Sequence, residues 1–231
     1  GSVHLSSRTL APAAFTQVAL EGGQNGWMRA AMSGMWATPD FTHRASVSHS
    51  ETSGYMENTD AMITRATWIG DWRDKHEGLW RALIGLEEKS FGAQSFYTAA
   101  YPHQFESTGS TVAQVTWRRQ RAWSSFAGAH LRYHRDRFEL YREGAAWYAP
   151  TPDGYFVREA FEGEPADTAA SWYGGANQHR SLTTGMTLRT AKTHGFGRIT
   201  IGADVRMEAV RSNVLGVMRD SSSVRPLGQE R

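Results

Sequence analysis

Between Thr111 and Tyr133 the chain alternates twice around a basic turn, and this hairpin constrains the fold more than any other segment. Thr111, Ala113, Val115 and Trp117 fall on one side; Val112, Gln114, Thr116 and Arg118 fall on the other. After Arg118-Arg119-Gln120-Arg121 the alternation resumes, with Trp123, Ala127, Ala129, Leu131 and Tyr133 against Ser124, His130, Arg132 and His134. A period of two belongs to a strand, whose successive side chains point to opposite sides of the sheet. The apolar side carries small residues bounded by a Trp on each side of the turn. An indole is well placed where hydrocarbon meets water, so the pattern predicts a strand pair with one face toward lipid.

The same alternation recurs along the chain. Strands are expected over Val3 to Arg8, Phe15 to Glu21, Trp27 to Ala37, Phe41 to Glu51, Ala61 to Trp72, Leu79 to Lys89, Arg180 to Thr190 and Gly197 to Val210. Gly22-Gly23-Gln24-Asn25-Gly26 is a strong turn signal between the second and third of these. With the central hairpin this makes an all-β, antiparallel up-and-down meander of roughly nine or ten long strands, part of a transmembrane β-barrel. Residues 1–8 would lead into the barrel, 9–210 would form it, and 211–231 would be a polar loop or tail.

Two regularities support the membrane reading. The connections alternate between short ones (Thr38–Asp40, Arg73–Gly78, Arg118–Arg121, Thr190–Gly195) and long ones near 52–60, 90–107 and 137–179, the asymmetry of outer-membrane barrels. Three of the short turns are bracketed by aromatics on the apolar side: Trp36 with Phe41, Trp72 with Trp80, and Trp117 with Trp123. Side by side these would form one membrane girdle. Phe196, at the fourth turn, is out of phase. His43 and His49 fall on the apolar side, a position suited only to the ends of the band.

Composition narrows the choices. Mean hydropathy is −0.52, and no run approaches the ~18 to 20 apolar residues of a membrane helix. A net charge of +2 gives no argument for a nucleic-acid partner. The absence of cysteine, a count of 0, excludes thiol catalysis and a disulfide scaffold. The first residues show no signal-peptide pattern, so an exported protein would begin here as a mature piece or a fragment.

His130, His134 and Asp136 share the polar side of one strand and could suggest a metal site. At ~3.3 Å per residue the two histidines stand about 13 Å apart, too far to reach one ion at ~2.0 to 2.2 Å without partners from other strands. Neither a metal site nor a cofactor is expected, and no catalytic set stands out. Arg44, Arg65, Arg81, Glu87, Arg132, Asp136, Arg198, Asp204, Arg206 and Glu208 lie on the polar side, where opposite charges on adjacent strands can pair in a wet lumen. Recognition concentrates in long loops. The aromatics Trp147, Tyr148, Tyr155, Phe156, Trp172 and Tyr173 are therefore the candidate ligand-binding residues.

Gly1-Ser2-Val3-His4-Leu5-Ser6-Ser7-Arg8 resembles the Gly-Ala-Ile-Asn-Ile-x-Thr-Arg segment that joins plug to barrel in TonB-dependent outer-membrane receptors. The runs Ser53 to Asp60, Phe91 to Tyr97 and Tyr101 to Glu106 are similar to loops of that family. His179-Arg180, Gly197, Asp204, Arg206, Glu208 and Ser212 to Gly216 also fit it. The resemblance implies energised uptake of a scarce nutrient of siderophore, cobalamin or glycan type, through the outer membrane of a Gram-negative bacterium. It further implies contact with outer-membrane lipid, with the imported small-molecule or glycan ligand, and with the TonB complex through a plug. Such barrels have roughly 22 strands, so this chain would be the first part of one, with the plug before Gly1. Two other readings stay open at this point. One is a complete small outer-membrane barrel with an enzymatic or adhesive role; the other is a soluble carbohydrate-binding β-sandwich.

Overall fold

The computed structural model describes residues 14–96, 103–139, 142, 149–150, 156–158, 167–169, 177–212 and 228–230. The strands are β1 (Phe15–Gly22), β2 (Met28–Ala37), β3 (Phe41–Thr52), β4 (Ala61–Arg73), β5 (Leu79–Gly92), β6 (Phe105–Gln120), β7 (Ser124–Glu139), β8 (Ala149–Pro150), β9 (Phe156–Arg158), β10 (Asp167–Ala169), β11 (Asn177–His194), β12 (Gly197–Ser212) and β13 (Gly228–Glu230). One 10-stranded sheet runs in the order β1-β2-β3-β4-β5-β6-β7-β11-β12-β13, and β8 to β10 form a separate 3-stranded sheet. Every pairing is antiparallel. The fold is an all-β, up-and-down meander, and β1 does not pair with β12 or β13, so the sheet is open.

The large sheet is a single layer. Every contact between strands of the described residues joins hydrogen-bonded neighbours, so no second sheet packs on either face. Among the described residues the buried apolar side chains are Met35, Ala93 and Ala191, far too few to be the core of a sheet this wide.

Residues directly opposite one another share a face, and the register carries each strand's alternation across the whole sheet. Val18, Met32, Val47, Ala66, Leu86, Thr111, Tyr133, Leu182 and Ala209 form one continuous row on the apolar face. The neighbouring row on the other face reads Ser48, Arg65, Glu87, Ser110, His134, Ser181 and Val210. A slip of one residue in any strand would exchange its two sets.

The apolar band drifts along this register. Phe41, Trp72, Trp80, Trp117, Ala127, Leu188 and Ala203 form a single row. At β2 the band already ends at Trp36, above that row and opposite His43. At β12 it continues below it through Ile201 to Ile199.

Several strand ends run beyond the sequence expectation, while β2 starts one residue later than expected, at Met28. β5 extends to Gly92, the central hairpin reaches back to Phe105 and on to Glu139, and β11 begins at Asn177 and ends at His194. These extensions are mostly polar, with only isolated apolar residues such as Phe105 and Phe138, so they carry no apolar alternation. Paired backbone, not side-chain pattern, makes them strand. The tight turn of the central hairpin is accordingly Arg121–Trp123, one step beyond the expected one. Within 211–231, expected as loop or tail, β13 adds to β12 over Gly228–Glu230. The connection Gly23–Trp27 lies at the long-loop end although it is short, and Ser53 N–H ties to its Asn25 carbonyl at 2.9 Å. Residues 1–8 lie outside the described residues.

One glycine lets two non-adjacent strands meet. Glu88 on β5 and Arg135 on β7 both stand opposite Gly109 on β6. Arg135 Nη2 donates to both Glu88 oxygens at 2.9 Å, straight over the glycine. A Cβ at position 109 would lie 2.5 Å from Arg135 Nε, so any side chain there displaces the pair.

Candidate functional site

At the tight-turn end of the apolar face the rings form one connected row. Trp36 and Phe41 flank His43 at 5.2 and 5.0 Å between ring centroids. Phe41 meets Trp72 at 6.5 Å, Trp72 stacks on Trp80 at 5.8 Å and 3°, and Trp80 meets Trp117 at 6.3 Å. His43, awkward on the sequence pattern, is thus a member of the aromatic row. Trp123 stands apart in its turn, with Lys192 Nζ 5.5 Å from its ring centre. His49 lies toward the other end of the band, where it bonds Thr64 at 2.8 Å and approaches Glu51 at 3.5 Å.

The row is anchored from below by Asp74. Its Oδ1 accepts the N–H groups of His76 and Gly78, each at 2.8 Å, and its Oδ2 accepts the indole N–H of Trp80 at 3.1 Å and of Trp117 at 3.3 Å. Gly78 is required for this approach, because a Cβ there would lie 2.3 Å from Trp117 Nε1. The donors, led by the Gly78 N–H, lower the Asp74 carboxyl from 3.8 to about 2. A depressed folded-state value means the contribution is complete above pH 3.8 and is lost as pH falls through about 2. Acidification should therefore loosen the stacked Trp72–Trp80 pair in that window, read as loss of its exciton signal in circular dichroism. Asp74→Asn should remove that pH dependence; an unchanged acid transition would count against the clamp.

The opposite face is a network of cross-strand polar pairs. Arg81 grips Asp71 through two bonds of 2.6 and 2.8 Å. Arg65 donates to Glu87 at 2.5 Å, and Thr187 to Asp204 at 2.6 Å. Arg206 pairs with Glu208 on its own strand. Arg44 lies 5.8 Å above the Phe15 ring. His134 bonds Ser110 at 2.7 Å and stands 3.8 Å from Asp136, while the His130 ring covers Gly185, placing Cε1 where a Cβ would meet it at 2.4 Å. No three metal-ligating side chains converge among the described residues.

At the long-loop end, segments distant in sequence are tied together. Arg142 grips the Asp60 carboxylate with both terminal nitrogens, the Nη2–Oδ2 bond being 2.7 Å. Its guanidinium stacks 4.6 Å from the Phe105 ring centre, and its backbone N–H reaches the His103 carbonyl at 2.8 Å. Asn58 Nδ2 donates to the Gln104 carbonyl at 2.7 Å, which also accepts Ala93 N–H at 2.8 Å. Gln104 is fully buried beneath these contacts. The Arg142 guanidinium holds the Asp60 carboxyl below the usual carboxylate range. Sequence reasoning missed Arg142 and Asp71. Asp71 could have been found from its place opposite Arg81 across a short turn; nothing local marks Arg142.

Of the loop aromatics proposed as ligand contacts, Trp147, Tyr148, Tyr155, Trp172 and Tyr173 lie outside the described residues, and Phe156 is described only as backbone in β9. A scan against protein-family models finds none that matches the chain, and a search of curated proteins also finds no match.

Proposed function

We propose that this sheet is a section of transmembrane β-barrel wall in an outer-membrane receptor of the TonB-dependent kind, taking part in energised uptake of a scarce nutrient. One observation carries the membrane part: a wide single-layer sheet has an apolar face that no other described strand covers, bounded by an aromatic row at one end and charges at the other. In water such a face would cost ~25 cal/mol per Å² of exposed apolar surface; hydrocarbon removes that cost. From Trp80 to Glu88 on β5 the band spans about 26 Å along the strand, or roughly 20 Å of height at the usual tilt of ~40°. Its drift along the register agrees with tilt, because a flat membrane slab must cross tilted strands at successively shifted positions.

The polar network suits a wet lumen, and the knitted long-loop end suits a pre-ordered outer rim. The uptake role rests on the resemblance of residues 1–8 and of the loop runs near 53–60 and 91–106, and on that reading the plug and its TonB contact belong outside this chain. The open edges of β1 and β13 would be satisfied by further barrel strands, since unpaired edges are untenable in lipid.

Quenching by brominated lipids tests the membrane part. Trp72, Trp80 and Trp117 should be quenched more by bromines near the headgroup end of the acyl chain than by bromines near its methyl end. Absence of quenching by either lipid, with the chain soluble free of detergent, would overturn it. For the uptake part, cells lacking the gene should lose accumulation of one siderophore, cobalamin or glycan that depends on the proton-motive force. Unchanged accumulation of all three would count against it.

A further inference from the structure

Three arginines stand in one cross-strand row on the apolar side, just past the band at its long-loop end. Arg180 on β11 is directly opposite both Arg135 on β7 and Arg211 on β12. One same-face step inward lie Tyr133, Leu182 and Ala209, which belong to the band itself. Directly opposed residues have Cα atoms only ~4.5 to 5.5 Å apart, and like charges in that position repel. The neighbouring carboxylates are already engaged, Glu88 by Arg135 and Glu139 by Arg137. Among the described residues neither Arg180 nor Arg211 has an ion pair. Both are exposed.

We propose that Arg180 and Arg211, with Arg135 beside them, bind the phosphate of an anionic lipid headgroup. The assignment rests on the membrane reading given above. A phosphate between two guanidinium groups converts their repulsion into charge-assisted, forked hydrogen bonds. The occupant is a lipid because the row borders the apolar band: a molecule joining a phosphate to acyl chains meets the arginines and Leu182 together, whereas free phosphate meets only the arginines. The site is a boundary-lipid clamp on the outside of the wall, separate from the lumen and the loop rim.

The full chain, reconstituted in phosphatidylcholine vesicles with a minor fraction of phosphatidic acid, tests this by electron paramagnetic resonance of spin-labelled lipids. The wild type should hold spin-labelled phosphatidic acid roughly thirtyfold better than spin-labelled phosphatidylcholine, the order expected of two arginines at ~1 kcal/mol each. Arg180→Gln with Arg211→Gln should abolish the preference. Arg44→Gln with Arg132→Gln, an equal loss of charge on the other face, should preserve it. Each single variant of the first pair should lower it roughly fivefold, so the proposal stays testable if the double variant does not fold. A preference that survives in the first pair, or vanishes in both pairs, overturns the site. Displacement of the labelled lipid by inorganic phosphate at equal concentration overturns the lipid assignment in favour of a free-anion site. A chain that immobilises neither lipid overturns the membrane reading as well, so the two failures are distinguishable.

Discussion

Val115→Arg should destabilise the folded chain in lipid or detergent by about 2 to 4 kcal/mol, while Gln114→Arg, one residue away, should cost little. The two positions differ only in face. Val115 lies opposite Ala82 and Ala129 in the middle of the apolar band and is 37% exposed, with no second layer over it among the described residues. On the membrane reading proposed above, an arginine there would have to place its guanidinium in hydrocarbon or strain toward an interface, which is dear at mid-depth and cheap near the edges. Gln114 lies opposite Leu83 and His130 on the face that already carries Arg81, Arg65 and Arg132. Denaturant titration of both variants in micelles, followed by tryptophan fluorescence, gives the comparison. Equal tolerance at the two positions would mean that hydrocarbon does not touch the Val115 side.

Arg142→Ala should loosen the long-loop end by about 1 to 2 kcal/mol and leave the strands intact. The guanidinium makes a forked contact with Asp60 and stacks on Phe105, so its loss removes the tie between the segment after β7 and the connection between β3 and β4. The pair is about one-third exposed on each side, which tempers the electrostatic part. Hydrogen exchange should show faster exchange at the Gly92, Ala93 and Gln94 amides, which bond to Asp60, Gln104 and Asn58 carbonyls, with β6 and β7 unchanged. The pair also has a pH signature. Because the Asp60 carboxyl is held below its ordinary 3.8, its contribution is present above that value and is lost as pH falls below it. Acid should thus mimic Arg142→Ala in the same amides. A double-mutant cycle with Asp60→Ala that shows simple additivity would dismiss the tie.

The face assignment was legible because it depends only on parity. Once Ala113, Val115 and Trp117 share a side, neighbouring strands must present their own alternate sets or leave polar groups in the band. The aromatic row was legible for a related reason: Trp72 and Trp80 flank one tight turn, and a hairpin brings them opposite each other. His43 was harder, since its compatibility with the apolar side comes from two rings, Trp36 and Phe41, contributed by both strands of its hairpin. The polar extensions of β5, β6, β7 and β11 read as loop because only their backbone pairing makes them strand. The short strands β8 to β10 span 2 or 3 residues each, too few for any period to register.

Local chemistry therefore determined the long strands of the sheet and their two faces, since period and turn residues act over a few positions. Tertiary structure alone decided how the strands align and what meets across them. Asp74 reaches Trp117 across 43 residues, Arg142 reaches Asp60 across 82, and Glu88 reaches Arg135 over Gly109 across 47. Such contacts depend on register and loop closure, which bring distant residues together only after the sheet exists. The arginine row Arg135–Arg180–Arg211 belongs to the same class: three surface charges far apart in the sequence become neighbours when the register sets them side by side.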